Sequence, residues 1–422
     1  MSVPLDRLYN YLDDIVNHDL LIYGWAPHGS TKLEHFQMLQ DTISPAQWQH
    51  LRTSCTAEQF KSIVQRNDHA VMICHDQEPV DANRYSFDLL KNQIKKNHLE
   101  IETNLNVKKL ASNSVVEYCA TLGLRGLANP MNQNDLTILL HSEQRSFHVD
   151  QFQQKGYVPV YYWSHGIIAQ DWFRYAEHDP KLQFQPSQLT HDFLIYNRAW
   201  SGTREYRLCV TEQIIANNLT KYCKMSFAAN DPEHYTKHTF ANPELQITNC
   251  NLEKFFPPNH YSSNASANYC FQDYITAGIE VVLETLFDDA RWHLTEKSLR
   301  PIACGKPFLL LATAGSLQYL RQYGFNTFDG LIDESYDKIQ NSRQRLQAII
   351  KEMNRISALS TADKHNLFWN LNQIAQQNKH HFFTNFFDYC KQEYVENMNH
   401  ALTILNQNKT GKHAKTINKL LQ

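Results

Sequence analysis

The sequence predicts an α/β protein built from two successive parallel-sheet halves and closed by C-terminal helices. Three observations carry this reading. Short apolar runs alternate with amphipathic stretches through most of the chain. A segment with two prolines and no periodicity, DPKLQFQPSQLT at 179–190, interrupts the alternation once. From Ser335 onward the apolar spacing is helical throughout.

In the first half, Asp19–Trp25, Ala70–Cys74, Leu136–Leu140 and Val158–Trp163 read as buried strands, with helices between them such as Pro45–Arg66 and Tyr85–Lys96. After the linker, Phe193–Tyr196 and Cys223–Phe227 read as strands flanking a helix over Thr203–Asn218. A loop rich in His, Asn and Pro fills 230–268. Then come the strand Ile279–Leu283, a short helix Thr295–Ala303, the strand Pro307–Leu311, the helix Ser316–Tyr323 and a further strand near Phe328–Ile332. Helices are expected over Ser335–Arg355, Thr361–Asn378 and His381–Leu405. The domain division is 1–185, 190–380, a closing helix at 381–405 and a basic, frayed tail at 406–422.

The 422 residues exceed what one ordinary core organises, and 42% hydrophobic with 20% charged residues describe a folded chain. No run approaches the length of a membrane span, and the opening MSVPLDRLYNYLDD has no apolar core of a signal peptide. The cytoplasm is therefore the expected compartment, with no membrane partner. Nine Cys without a CxxC pair argue against a disulfide framework or a structural zinc site. No GxGxxG or Walker motif occurs, which disfavours a dinucleotide oxidoreductase or a P-loop enzyme. Net charge is −3, yet basic residues outnumber acids from Arg300 to the end. Ordinary solvated helix faces account for that excess more readily than an anionic partner does.

The segment Ile279–Ala312 is the most informative. A buried strand ends at Glu284, a loop follows, and Thr295-Glu296-Lys297 opens a helix. Thr295 is placed as its N-cap and Glu296 in the first turn, where the helix dipole favours a carboxylate. Lys297 falls where free backbone N–H groups attract phosphate. Glu284 can accept both hydroxyls of a ribose, and Lys297 with Arg300 can clamp a diphosphate. The plainer reading has Glu and Lys paired with each other. A second cluster, Asn197-Arg198-Ala199-Trp200-Ser201-Gly202-Thr203-Arg204, with Arg207 one turn on, sits at a strand-to-helix turn. Ser201 or Thr203 can cap that helix, Gly202 allows close backbone approach, and Asn197, Arg198 and Arg204 suit a diphosphate. A third element, His75-Asp76-Gln77-Glu78-Pro79, follows a strand end, where Asp76 or Glu78 can act as a general base. His165, in Trp163-Ser164-His165-Gly166, is the reserve candidate. Asp288-Asp289 resembles a metal-holding pair but lies in a different signature, and no metal site is assigned. Trp25 offers a stacking platform, or a buried core residue.

These residues resemble a known pattern. A strand ending in Glu before a Thr-Glu-Lys helix is similar to the donor-binding signature of α1,3-fucosyltransferases. Gly305–Phe308, Gly315–Leu317, Gly324–Phe328 and the His-Asp-Gln-Glu-Pro element resemble a broad group of phage-encoded glycosyltransferases. The clear likeness covers residues 279–328. The fucosyltransferase Phe-Glu-Asn-Ser is Leu283-Glu284-Thr285-Leu286 here, which leaves sugar and base open. The resemblance implies two Rossmann-like domains facing a central cleft (GT-B-like), a nucleotide-diphosphate sugar on the C-terminal domain and an acceptor on the N-terminal one. It implies an inverting, metal-independent glycosyltransferase with that sugar nucleotide as co-substrate and no other cofactor. The expected acceptor is a hydroxymethylated base, such as hydroxymethylcytosine, in double-stranded phage DNA, held by basic residues including Lys409, Lys412, Lys415 and Lys419. The alternatives are a surface or capsular glycan as acceptor, or a nucleotide- or glycan-binding module without turnover.

Overall fold

The computed structural model describes residues 21–25, 71–75, 137–154, 157–256 and 268–420. The expected helices Pro45–Arg66 and Tyr85–Lys96 lie outside them, as do Asp76 and Glu78. The described residues form a mixed α/β fold with two four-stranded parallel sheets. The first sheet runs in chain order: β1 (Leu21–Trp25), β2 (Val71–His75), β3 (Thr137–His141) and β4 (Tyr157–Tyr161). Its register sets Met72 against Ile138 and Ile138 against Val158. Helix α1 (Phe147–Gln154) links β3 to β4, and α2 (Ser164–Trp172) follows β4.

The second sheet contains β5 (His191–Asn197), β6 (Cys223–Phe227), β7 (Ala277–Leu283) and β8 (Phe308–Leu311), in the spatial order β6-β5-β7-β8. Every residue of β7 and β8 is buried, as expected of parallel strands covered on both faces. Helices α3 (Tyr206–Ala216), α4 (Phe271–Thr276), α5 (Glu296–Ala303) and α6 (Ser316–Gln322) connect or follow these strands. Three more helices, α7 (Ser342–Ser357), α8 (Thr361–Thr384) and α9 (Phe386–Leu420), complete the chain. Side-chain oxygens of Asn341 and Ser360 cap α7 and α8 by accepting from Gln344 and Asp363 backbone N–H groups.

Two compact units divide the chain. One is Ile168–Tyr389; the other contains the first sheet and continues from Cys390. In the latter, Asn397 of α9 donates to the Tyr161 carbonyl (3.0 Å) and Tyr394 packs near Tyr162. Among the described residues no helix is long and apolar enough to cross a membrane.

Three expected elements differ. Phe328–Ile332 is a turn, with Gly330 left-handed (φ 84°) and a single bridge from Asp329 to Ile332. The Glu334 carboxylate fixes this turn by accepting from the Phe328 N–H (2.6 Å) and the Thr327 hydroxyl (2.7 Å). The helix expected from Ser335 splits into a 3-10 turn at Glu334–Lys338 and then α7. Arg345 holds the break open by donating to the Ile339 and Gln340 carbonyls (2.6 and 3.0 Å). The closing helix runs to Leu420, through the segment expected to fray.

One close approach in the second sheet is testable. A Cβ at Gly278 would lie 2.7–2.9 Å from ring atoms of Phe368 on α8, and that ring is itself buried. Gly278→Ala should therefore cost about 1–3 kcal/mol through overpacking. A thermal melt should fall by several degrees; an unchanged midpoint would show that the β7–α8 contact is loose.

Candidate functional site

The second sheet has one topological switch. The chain passes from β5 to β6 on one side and then to β7 on the other. Such a reversal opens a crevice beyond the carboxyl ends of the two central strands. Here the central strands are β5, ending at Asn197, and β7, ending at Leu283. The two sequence clusters thus emerge side by side, and direct bonds join them. The Thr203 hydroxyl donates to the Thr285 carbonyl (3.0 Å) and the Tyr206 hydroxyl to the Glu284 carbonyl (2.7 Å). The Arg207 guanidinium donates to the Leu283 and Glu284 carbonyls (2.7 and 2.9 Å). Tyr206 also stacks on Phe287, with ring centroids 4.4 Å apart.

Glu284 is fully buried and its carboxylate faces inward. Oε1 accepts from the Thr295 N–H (2.9 Å), the Ser298 N–H (3.2 Å) and the Ser298 hydroxyl (2.6 Å). Oε2 accepts from the Thr285 N–H (3.0 Å) and the Thr295 hydroxyl (2.8 Å). This is the carboxylate from which a ribose contact is expected. Both oxygens are occupied, and Glu284 anchors the start of α5 to the end of β7. Burial alone would raise its pKa. The Lys297 charge, the Ser298 hydroxyl and the Thr295 N–H outweigh this and hold the carboxyl below its ordinary range.

Thr295 takes the expected N-cap position, its hydroxyl accepting from the Lys297 N–H (3.4 Å). The N–H groups expected to attract phosphate are, at Thr295, Lys297 and Ser298, already bonded to Glu284 and Thr295 side chains. The charged donor at this turn is the Lys297 ammonium. That group is part-buried and donates to Glu296 (2.9 Å), the Thr295 hydroxyl (3.1 Å) and the Thr285 hydroxyl (3.4 Å). Glu296, expected in the first turn of α5, is buried beside Lys297.

Arg300, expected as a diphosphate clamp, points into the helix–sheet interface and pairs with Glu280 of β7 (2.5 Å). Its Nε donates to the Tyr274 hydroxyl oxygen (3.0 Å), and its guanidinium lies over the Tyr196 ring (4.7 Å). Glu280 and Glu284 sit four residues apart and hence on one face of the β7 chain direction. Each holds one end of α5, so the helix carrying Lys297 is fixed by two buried carboxylates. A buried charge needs such a partner, because desolvation is otherwise costly.

In the other cluster, Asn197 is buried and ties β5 to α3 by donating to the Arg207 carbonyl (3.2 Å) and the Thr211 hydroxyl (2.9 Å). That is a fold-holding position for a residue from which a ligand contact is expected. Arg207 is likewise an interior tie. Arg198, Ser201 and Arg204 remain part-exposed on the loop. Neither Ser201 nor Thr203 caps a helix with its side chain; the Thr203 hydroxyl is used across the crevice instead. Gly202 adopts φ 61°, a left-handed conformation that suits glycine. Asp231, unremarked in the sequence, shapes the loop by accepting from the Trp200 and Ser201 N–H groups (2.7 and 2.8 Å). Glu205 does the same for the following segment, accepting from the Ala241 and Asn242 N–H groups.

Asp289 is gripped by Arg291 (2.6 Å), and Asp288 accepts from Asn242 (2.6 Å). Burial raises the Asp289 pKa, but the Arg291 fork outweighs it and the net direction is downward. In the other unit, His165 is buried near the end of β4, its Nδ1 3.4 Å from the Ser164 hydroxyl. Neither a family model, nor a curated protein, nor a solved structure matches this chain.

Proposed function

We propose that the chain is a glycosyltransferase with two Rossmann-like domains, using a nucleotide-diphosphate sugar. One observation supports this reading above the others. Two clusters selected separately from the sequence, 197–207 and 284–297, are bonded together at the switch point of one parallel sheet. Lys297, Arg198 and Arg204 supply the positive charge a leaving diphosphate requires, on a helix start fixed by Glu284. Ser201 and the Thr285 hydroxyl offer neutral donors beside them. In this reading Glu284, Thr295 and Glu280 position the binding groups and do not touch the donor. The general base is Asp76 or Glu78, with His165 in reserve.

The cation set makes the transfer independent of a divalent ion, since Asp288 and Asp289 are engaged by Asn242 and Arg291. The proposed acceptor is hydroxymethylated duplex DNA, in the cytoplasm of an infected bacterium. Transfer should be measured in EDTA, comparing duplex DNA containing 5-hydroxymethylcytosine, unmodified DNA and a simple oligosaccharide. Sugar should enter only the hydroxymethylated duplex, with activity falling steeply between about 50 and 200 mM salt through counterion release. Transfer to the oligosaccharide, indifferent to salt, would assign the enzyme to glycan synthesis. Loss in EDTA restored by Mn²⁺ would overturn the metal-independent mechanism.

A further inference from the structure

Within the unit Ile168–Tyr389, two segments free of charge meet at the surface. The stretch 182–190 (LQFQPSQLT) and the stretch 366–378 of α8 (NLFWNLNQIAQQN) contain no Asp, Glu, Lys or Arg, in a chain that is 20% charged. The turn Pro186–Gln188 packs against α8. Beside it Phe184 meets Trp369, with ring centroids 6.5 Å apart and planes tilted by 47°. The first stretch enters β5 at its amino end, whereas the candidate donor crevice lies at the carboxyl end.

Trp369 is 52% exposed, and among the described residues its indole N–H makes no hydrogen bond. Residues three and four apart on a helix share a face, so Asn366 and Gln373 flank the indole. Both are exposed, and exposed His365 borders them. The Asn370 amide donates to the Asn366 side-chain oxygen (3.4 Å). Exposed Gln183 and Gln185 stand on either side of Phe184 in the chain. Two cations close by are withdrawn from the surface. Lys364 pairs with Asp192 (2.7 Å), and Lys306, over the Phe184 ring, is itself buried.

A polyanion is held by lysine and arginine, which these stretches lack. The exposed half of an indole offers roughly 100 Å², far below the roughly 800 Å² each partner gives to a stable protein interface. A sugar chain fits both facts. Its rings present C–H faces that pack on aromatic rings, and its hydroxyls both donate and accept, as Asn and Gln amides do. We propose that the Phe184–Trp369 pair, with the amides of Asn366 and Gln373, binds a neutral oligosaccharide. This surface is separate from the donor crevice, and its occupancy does not depend on glycosyl transfer.

The test is titration calorimetry of the full chain with maltoheptaose, cellohexaose and mannohexaose, and with oligothymidylate as a charged control. At least one neutral sugar should bind, with equal affinity at about 50 and 500 mM salt, because no counterions are released. Trp369→Leu should weaken that binding at least about fivefold, the loss expected of one aromatic contact. Trp369→Phe should keep most of it, and both variants should melt with the parent. Binding of none of the three sugars, or unchanged affinity in Trp369→Leu, would overturn the proposal. So would binding of oligothymidylate alone, lost at high salt, which marks a nucleic-acid surface. A dimer in sedimentation that Trp369→Leu abolishes would assign the face to a second copy of the chain and overturn it as well.

Discussion

Glu284→Gln should lower thermal stability sharply and abolish nucleotide binding in whatever fraction stays folded. Five donors point at this carboxylate: three backbone N–H groups and the hydroxyls of Thr295 and Ser298. A glutamine keeps the shape but turns one acceptor into an NH₂ group facing those donors. The lost charge-assisted bonds and the buried mismatch should together cost about 3–5 kcal/mol. For a unit of this size that is a fall of about 6–20 °C in the melting point. The linkage has a definite sign. The Glu284 carboxyl is held below its ordinary value of 4.5, so its stabilisation is present above that pH and lost as pH falls below it. Melting curves of parent and variant should therefore converge on acidification. Equal stability at pH 7 would show that the carboxylate does not fasten α5 to β7.

Lys297→Ala should leave the fold intact and remove donor affinity. The ammonium is part-buried, and its partners are Glu296, Thr295 and Thr285 at the start of α5 and the end of β7. A diphosphate seated there gains a charge-assisted contact worth about 1.5–3 kcal/mol. Its loss should weaken nucleoside diphosphate binding on the order of ten- to a hundredfold. Calorimetric titration of both proteins, beside their melting curves, separates this from unfolding. Unchanged affinity with a native melt would leave Lys297 as a partner of Glu296 and nothing more.

The strand cores of the described sheets were legible because each is a short, continuous apolar run. The helix start at Thr295 was legible because Thr-Glu-Lys has the chemistry of a cap and first turn. The use of Glu284 was not. Sequence spacing places it beside α5 but does not say whether its oxygens face a ligand or the helix. The inward orientation of Arg300 was not legible either, since it lies about one turn from Lys297 on the same eight-residue helix. The missed signal was Glu280, a carboxylate inside the apolar run Ile279–Leu283, which requires a buried cation nearby. Asn197 and Arg207 reflect the same limit: polar residues at a strand end serve the fold as readily as a ligand. The turn at Phe328–Ile332 was not legible, because its aromatic and aliphatic residues outweigh the single turn signal of Gly330. The carboxylates Asp76 and Glu78 lie outside the described residues.

We propose that the crevice between β5 and β7 holds and turns over a nucleotide-diphosphate sugar. The most direct measurement incubates the full chain with a panel of uridine, guanosine, adenosine and thymidine diphosphate sugars and no acceptor, and follows free nucleoside diphosphate. At least one donor should be hydrolysed slowly, with the matching nucleoside diphosphate as a competitive inhibitor, and Lys297→Ala should lose that activity. No release from any donor, or release equally fast in Lys297→Ala, would contradict the account.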